Sequence, residues 1–155
     1  MLRVMAISLI IFLVGCSSVM NNSIVEKNNT TSEQLKKTNI FYYYVNPDNE
    51  YQAMDVVKGR FAWQDGCLYV IGPDGTYNTA MFPQYPKGIV KWDQTTKTLN
   101  LNGKVFKMGD YINTNGMYQP YDPDGINHKI YATQGDKRCL NHMLAYIGTV
   151  NINRN

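Results

Sequence analysis

From residue 40 onward, apolar and polar residues alternate in short runs. Turn signals break these runs about every ten residues: Asp65-Gly66, Pro73-Asp74-Gly75, Asn102-Gly103, Asn115-Gly116 and Pro123-Asp124-Gly125. Short β-prone runs punctuated at this spacing predict an all-β sandwich or barrel. A two-residue turn at Asp65-Gly66 sets Trp63 opposite Leu68 and Phe61 opposite Val70, so these four side chains share one core face. The same turn at Asn102-Gly103 sets Leu99 opposite Phe106 and Leu101 opposite Lys104. Leu99, Leu101, Phe106 and Met108 then make a second apolar face, which Val90 and Trp92 join from the preceding strand.

Both hairpins are tight, so most strands pair with their neighbours in sequence. The expected fold is a small antiparallel, meander-rich, partly open β-barrel. No segment keeps a helical period over three turns. Residues 138–145 supply at most one short helix. The first hairpin's register points Cys67 away from Leu68 and Val70, onto the outer face or a strand end.

The most hydrophobic stretch lies elsewhere, at residues 4–14, behind the single charge of Arg3. It has about eleven residues, against the roughly 20 that span a bilayer as a helix. That is the layout of a secretory signal. The stretch ends at Leu13-Val14-Gly15-Cys16 and turns polar at Ser17. This tetrapeptide resembles the lipobox of bacterial lipoproteins. The resemblance implies a diacylglyceryl thioether on Cys16, cleavage just before it, and usually a third acyl chain on the new amino group. Stable attachment needs at least two chains, so such an anchor holds.

In the lipoprotein class of Gram-negative bacteria, the resemblance with Ser17 in place of Asp implies sorting to the outer membrane, with the β-domain in the periplasm or at the cell surface. Residues 1–15 are then the signal peptide and residues 16–39 the acylated Cys16 with a flexible polar tether. Residues 40–155 form a single β-domain. The tether is rich in Asn, Ser, Thr and Lys, too polar to offset the entropy of ordering it.

Composition narrows the partners. The net charge is +3 and falls to +2 when Arg3 leaves with the signal. No block of like charge reaches five residues, a balance that argues against a nucleic-acid partner. Five lysines between Lys87 and Lys107 face one acid, Asp93. They read as solvated strand faces or as a surface for envelope phosphates and carboxylates. Tyrosine occurs twelve times, including the run Phe41-Tyr42-Tyr43-Tyr44. That run suits sheet packing, although tyrosine clusters also line carbohydrate and peptide sites. With Cys16 acylated, Cys67 and Cys139 remain, and an oxidising compartment predicts a disulfide between them.

The order Gly66-Cys67-Leu68, Trp92-Asp93, Gly109-Asp110, Asn115-Gly116 and Cys139-Leu140 resembles small bacterial envelope domains of uncharacterised function. Their fold is similar to a compact β-barrel of OB-like character. That resemblance implies no catalytic residues.

Candidate chemistry is thin. Cys139 and His142 would make a thiol with a nearby base, but the disulfide consumes the thiol. His128, His142 and Cys139 lack the second ligand pair of structural zinc. Asp122-Pro123-Asp124-Gly125 starts like a calcium loop, but Ile126 stands at the fifth position and the closing Glu is missing. No catalytic residue, metal or cofactor is therefore expected.

The Pro/Asp/Gly loop at residues 118–128 is the candidate binding loop, with Tyr118, Tyr121, Asp122, Asp124 and His128. The expected function is a lipid-anchored, non-catalytic β-domain that binds an envelope protein, peptide or glycan. The alternatives are an inhibitor of a hydrolase such as lysozyme and a cell-envelope enzyme.

Overall fold

The computed structural model describes residues 36–48, 55–126, 128–150 and 152–153. The signal, Cys16 and the tether as far as residue 35 lie outside the described residues. Among the described residues there are nine strands: β1 (Phe41–Tyr43), β2 (Val56–Gln64), β3 (Cys67–Ile71), β4 (Tyr77–Pro83), β5 (Val90–Asp93), β6 (Thr98–Leu101), β7 (Lys104–Lys107), β8 (Tyr111–Pro120) and β9 (Met143–Ile147). Asp65 and Gly66, like Asn102 and Gly103, both take positive φ, as a two-residue hairpin turn matching the strand twist requires. The pairs Trp63↔Leu68, Phe61↔Val70, Leu99↔Phe106 and Leu101↔Lys104 are all present.

Strands β2, β3, β4, β9 and β8 pair in that order, and β8 returns to β2. The result is a small all-β barrel. Three features depart from the expected details. The barrel is closed, because β4 pairs with β9 in parallel, Ala80 opposite Ala145. The sheet is mixed for the same reason, and β1 also joins β4 in parallel. Residues 138–145 do not form one helix: Lys137–Cys139 is a single 3₁₀ turn and β9 starts at Met143. A second 3₁₀ turn spans Tyr131–Thr133. Parallel closure needs strands distant in sequence, so no local turn signals it.

The barrel interior holds Val57, Phe61, Leu68, Val70, Phe82, Ile112 and Ile147, each at most 1% exposed. The β5–β6–β7 sheet is inserted between β4 and β8 and adds Leu99, Leu101 and Phe106 to this core. The Phe106 ring meets Phe61 edge-on at 5.2 Å, the geometry aromatic quadrupoles favour.

The outer face of β3 and β4 is buried as well. Phe41, Cys67, Tyr69, Met81 and Leu144 form a second core beneath Tyr131 and Cys139. The Cys67–Cys139 disulfide, with Cα atoms 5.2 Å apart, staples residues 131–140 over that face. Cys67 thus sits at a strand end on the outer face, as its register requires, yet out of solvent. Thr79 continues the seam by donating to the Cys139 carbonyl at 2.7 Å and accepting from Asn141 N–H at 2.8 Å.

The tether boundary is also corrected, because residues 36–39 belong to the domain. Thr38 is buried and its hydroxyl accepts from the Trp63 indole at 2.8 Å. Asn39 N–H donates to the Gly66 carbonyl at 2.7 Å. The Gln94 amide accepts from Thr38 N–H and donates to the Lys36 carbonyl. These polar side chains are satisfied by long-range partners, which composition alone cannot reveal.

Candidate functional site

The strand β1 run Phe41-Tyr42-Tyr43 and the following Tyr44 point in different directions. Phe41 is 1% exposed beneath the outer layer, whereas Tyr44 is 72% exposed. Between β1, the end of β8, β9 and residues 128–134 lies a cleft of about 570 Å³. Tyr42, Tyr43, Tyr44, Tyr131 and Tyr146 line it together with the amide side chains of Gln84, Gln119 and Gln134. His128 and Ile130 complete the wall, and among the described residues no Lys, Arg, Asp or Glu contributes. An apolar groove of about 520 Å³, containing Ile40, Pro83, Pro86 and Ile89, runs on from it and shares Tyr42, Gln84 and Gln134.

A chain of rings runs from Tyr121 into the floor. Tyr121 stacks on His128 at 5.7 Å, and His128 stacks on Tyr131 at 5.7 Å. Tyr131 meets Tyr146 edge-on at 6.4 Å, and Tyr146 meets Tyr43 at 5.3 Å. Hydrogen bonds set the direction of this chain. Asp122 holds the His128 ring through Nδ1, which lies 2.9 Å from the Asp122 backbone nitrogen and 3.2 Å from the Asp122 carbonyl oxygen. His128 Nε2 lies 3.5 Å from Tyr146 Oη, and Tyr146 O–H donates to Tyr131 Oη at 3.3 Å. Tyr131 is then left with a hydroxyl proton to offer.

Burial, helped by the nearby Tyr131, pushes Tyr43 up to about 12. Tyr146 is raised too, first by burial and then by its hydrogen bond with Tyr131. Tyr43 and Tyr146 therefore keep their hydroxyl protons at neutral pH.

Gln134 is committed to the scaffold. Its side-chain oxygen accepts from Tyr42 N–H at 2.6 Å and its amide nitrogen donates to the Tyr42 carbonyl at 2.9 Å. It thereby stands in for a missing strand beside β1. The amides of Gln84 and Gln119 have no hydrogen-bond partner among the described residues and are exposed at the rim.

The candidate binding loop is divided. Tyr118 lies within β8, packs toward the barrel core and donates to the Lys58 carbonyl at 2.8 Å. Tyr121 does not line the cleft but stacks on the buried His128, which does. Asp122 and Asp124 are exposed on a tight turn in which Asp122 Oδ1 accepts from Asp124 N–H at 3.0 Å. Cys67 and Cys139 are joined, and Cys16 lies outside the described residues.

The residues that sequence reasoning missed at this site are Gln84, Gln119, Ile130, Tyr131, Gln134 and Tyr146. The abundance of tyrosine was a signal for Tyr131 and Tyr146 alone. Among the described residues no group of His, Cys, Asp and Glu is placed to hold a metal. Comparison with known proteins returns nothing: no family model, no curated protein and no solved structure matches the chain.

Proposed function

We propose that the chain is a lipoprotein anchored through Cys16 in the envelope of a Gram-negative bacterium. Its β-domain binds a protein, peptide or glycan partner and catalyses no reaction. The anchor rests on Leu13-Val14-Gly15-Cys16 and Ser17. The binding role is carried by one observation, the uncharged tyrosine-lined cleft of about 570 Å³. A concavity with apolar walls and a few convergent polar groups is the usual form of a ligand site. Phenols kept protonated by burial serve as donors and acceptors, and are poor nucleophiles or bases at neutral pH.

Site-specific photo-crosslinking in intact cells tests this reading. A benzophenone amino acid at Ile130, inside the cleft, is expected to trap a partner; one at Val105, on β7, is not. Protease and glycosidase sensitivity of the adduct then classifies the partner. Equal trapping at both positions, or none at Ile130, removes the cleft from the account.

A second reading, inhibition of a hydrolase such as lysozyme, is favoured by the turn at Asp122. Gly125 N–H donates to the Asp122 carbonyl at 3.1 Å, and Lys129 N–H to the Gly125 carbonyl at 3.0 Å. Backbone hydrogen bonds thus tie the acidic tip to its turn, with Ile126 88% exposed beside it. Unchanged lysozyme activity at micromolar protein would eliminate this reading.

A further inference from the structure

The lining of the cleft defines a ligand class more narrowly than a partner of any kind, provided the cleft is the binding surface proposed above. We infer that the cleft binds an uncharged glycan segment, with a sugar ring lying against exposed Tyr44 and its hydroxyls meeting Gln84, Gln119 and Tyr131. Among the described residues no Lys, Arg, Asp or Glu lines the cleft, which disfavours phosphates, carboxylates and ammonium groups, since these need a counter-charge when desolvated. Five phenol rings and an isoleucine suit a ligand with an apolar face.

The polar groups separate the remaining candidates. Gln84 and Gln119 each present an unused donor and acceptor, and Tyr131 has a free hydroxyl proton. A proline-rich peptide has aromatic-compatible rings but offers chiefly carbonyl acceptors, so it would leave the amide oxygens unmet. A sugar carries hydroxyls that donate and accept around an apolar ring face, and it satisfies both sets. The adjoining groove past Tyr42 lengthens the track for a chain rather than a single residue. The committed Gln134 amide fixes the angle of β1 and hence the position of Tyr44.

Saturation-transfer NMR on the full acylated protein in detergent micelles tests the class. The probes are neutral tetrasaccharides of glucose, galactose and N-acetylglucosamine, with tetragalacturonate as the anionic control and hexaproline as the peptide control. At least one neutral sugar is expected to show transfer to its ring protons. Tyr44→Ala is expected to weaken that binding about tenfold, the effect of losing roughly 1.4 kcal/mol of contact. Tyr44 is 72% exposed, so its melting temperature stays that of the parent protein. A second variant, Gln119→Leu, removes the amide while preserving bulk and is expected to weaken the same sugar.

Transfer confined to tetragalacturonate or hexaproline overturns the glycan class while the Ile130 crosslink stands. No transfer to any probe also overturns it. Failure of the crosslink itself removes the underlying reading, so the two failures are distinguishable.

Discussion

The barrel interior and the layer laid over its outer face are built by opposite means. Inside, Phe61, Leu68, Leu99 and Phe106 come from adjacent hairpins and are sealed from water by apolar contact alone. Outside, residues 36–44 and 121–142 reach the barrel through a disulfide, amide–backbone pairs and a chain of aromatic rings. The first kind of packing stabilises the whole fold. The second shapes a surface, and it leaves half-exposed rings and unmet amides where a ligand can supply the missing contacts. The contrast teaches that scaffold and working surface are separable here, and each can be weakened without the other.

The largest effect is expected from the interior. Phe106→Ala removes a fully buried ring and should cost about 3–5 kcal/mol, read as a large drop in the urea midpoint with every probe lost together. Next comes the seam. Replacing Cys67 and Cys139 by Ser releases a loop spanning 72 residues and should lower stability by about 4 kcal/mol. Hydrogen exchange should rise first in residues 131–140, while β2 and β8 stay protected. Exchange rising uniformly across β2 and β8 would show that the outer layer is not separable.

A pH effect follows from Tyr43. Its hydroxyl titrates near 10 in the unfolded chain but about 12 in the fold. The folded state therefore holds the proton longer, and its stability is complete below about pH 10 and declines as pH rises toward about 12. Tyr146, raised in the same direction, adds to the loss. Melting temperature should fall over this window, and Tyr43→Phe should flatten the decline. The smallest effect belongs to the barrel end, where Lys97 Nζ lies 4.1 Å from the centre of the Trp63 ring. Lys97→Ala should lower stability by about 1 kcal/mol at most, seen as a small shift in the urea midpoint.

This contrast also explains what could be read from the chain. Asp65-Gly66 and Asn102-Gly103 determine their hairpins locally, so both registers follow from two residues and alternation. The parallel contact of Ala80 with Ala145 has no local signature, and the closed, mixed character of the barrel was hidden with it. The disulfide was legible from cysteine number and the expected compartment. What it staples was not, because the cover over Tyr69 and Met81 comes from a segment whose own sequence looks like loop.

The cleft was the least legible part. Its lining is gathered from residues 42–44, 84, 119, 128–134 and 146, and no spacing rule links them. The tyrosine run read as sheet packing, and that holds for Phe41 beside it. Tyr44 turns outward because the strand ends at Tyr43. Residues 36–39 read as tether because their packing relies on Trp63, Gln94 and Gly66, all far away in sequence.

Tyrosines mark both regions, so ring-labelled tyrosine NMR on the acylated protein, titrated with envelope extract, tests the division most directly. Resonances of Tyr42, Tyr43, Tyr44, Tyr131 and Tyr146 should shift while Tyr111 and Tyr118, at the β2–β8 face, stay in place. Shifts centred on Tyr111 and Tyr118, or none at all, would contradict a working surface at the aromatic cleft.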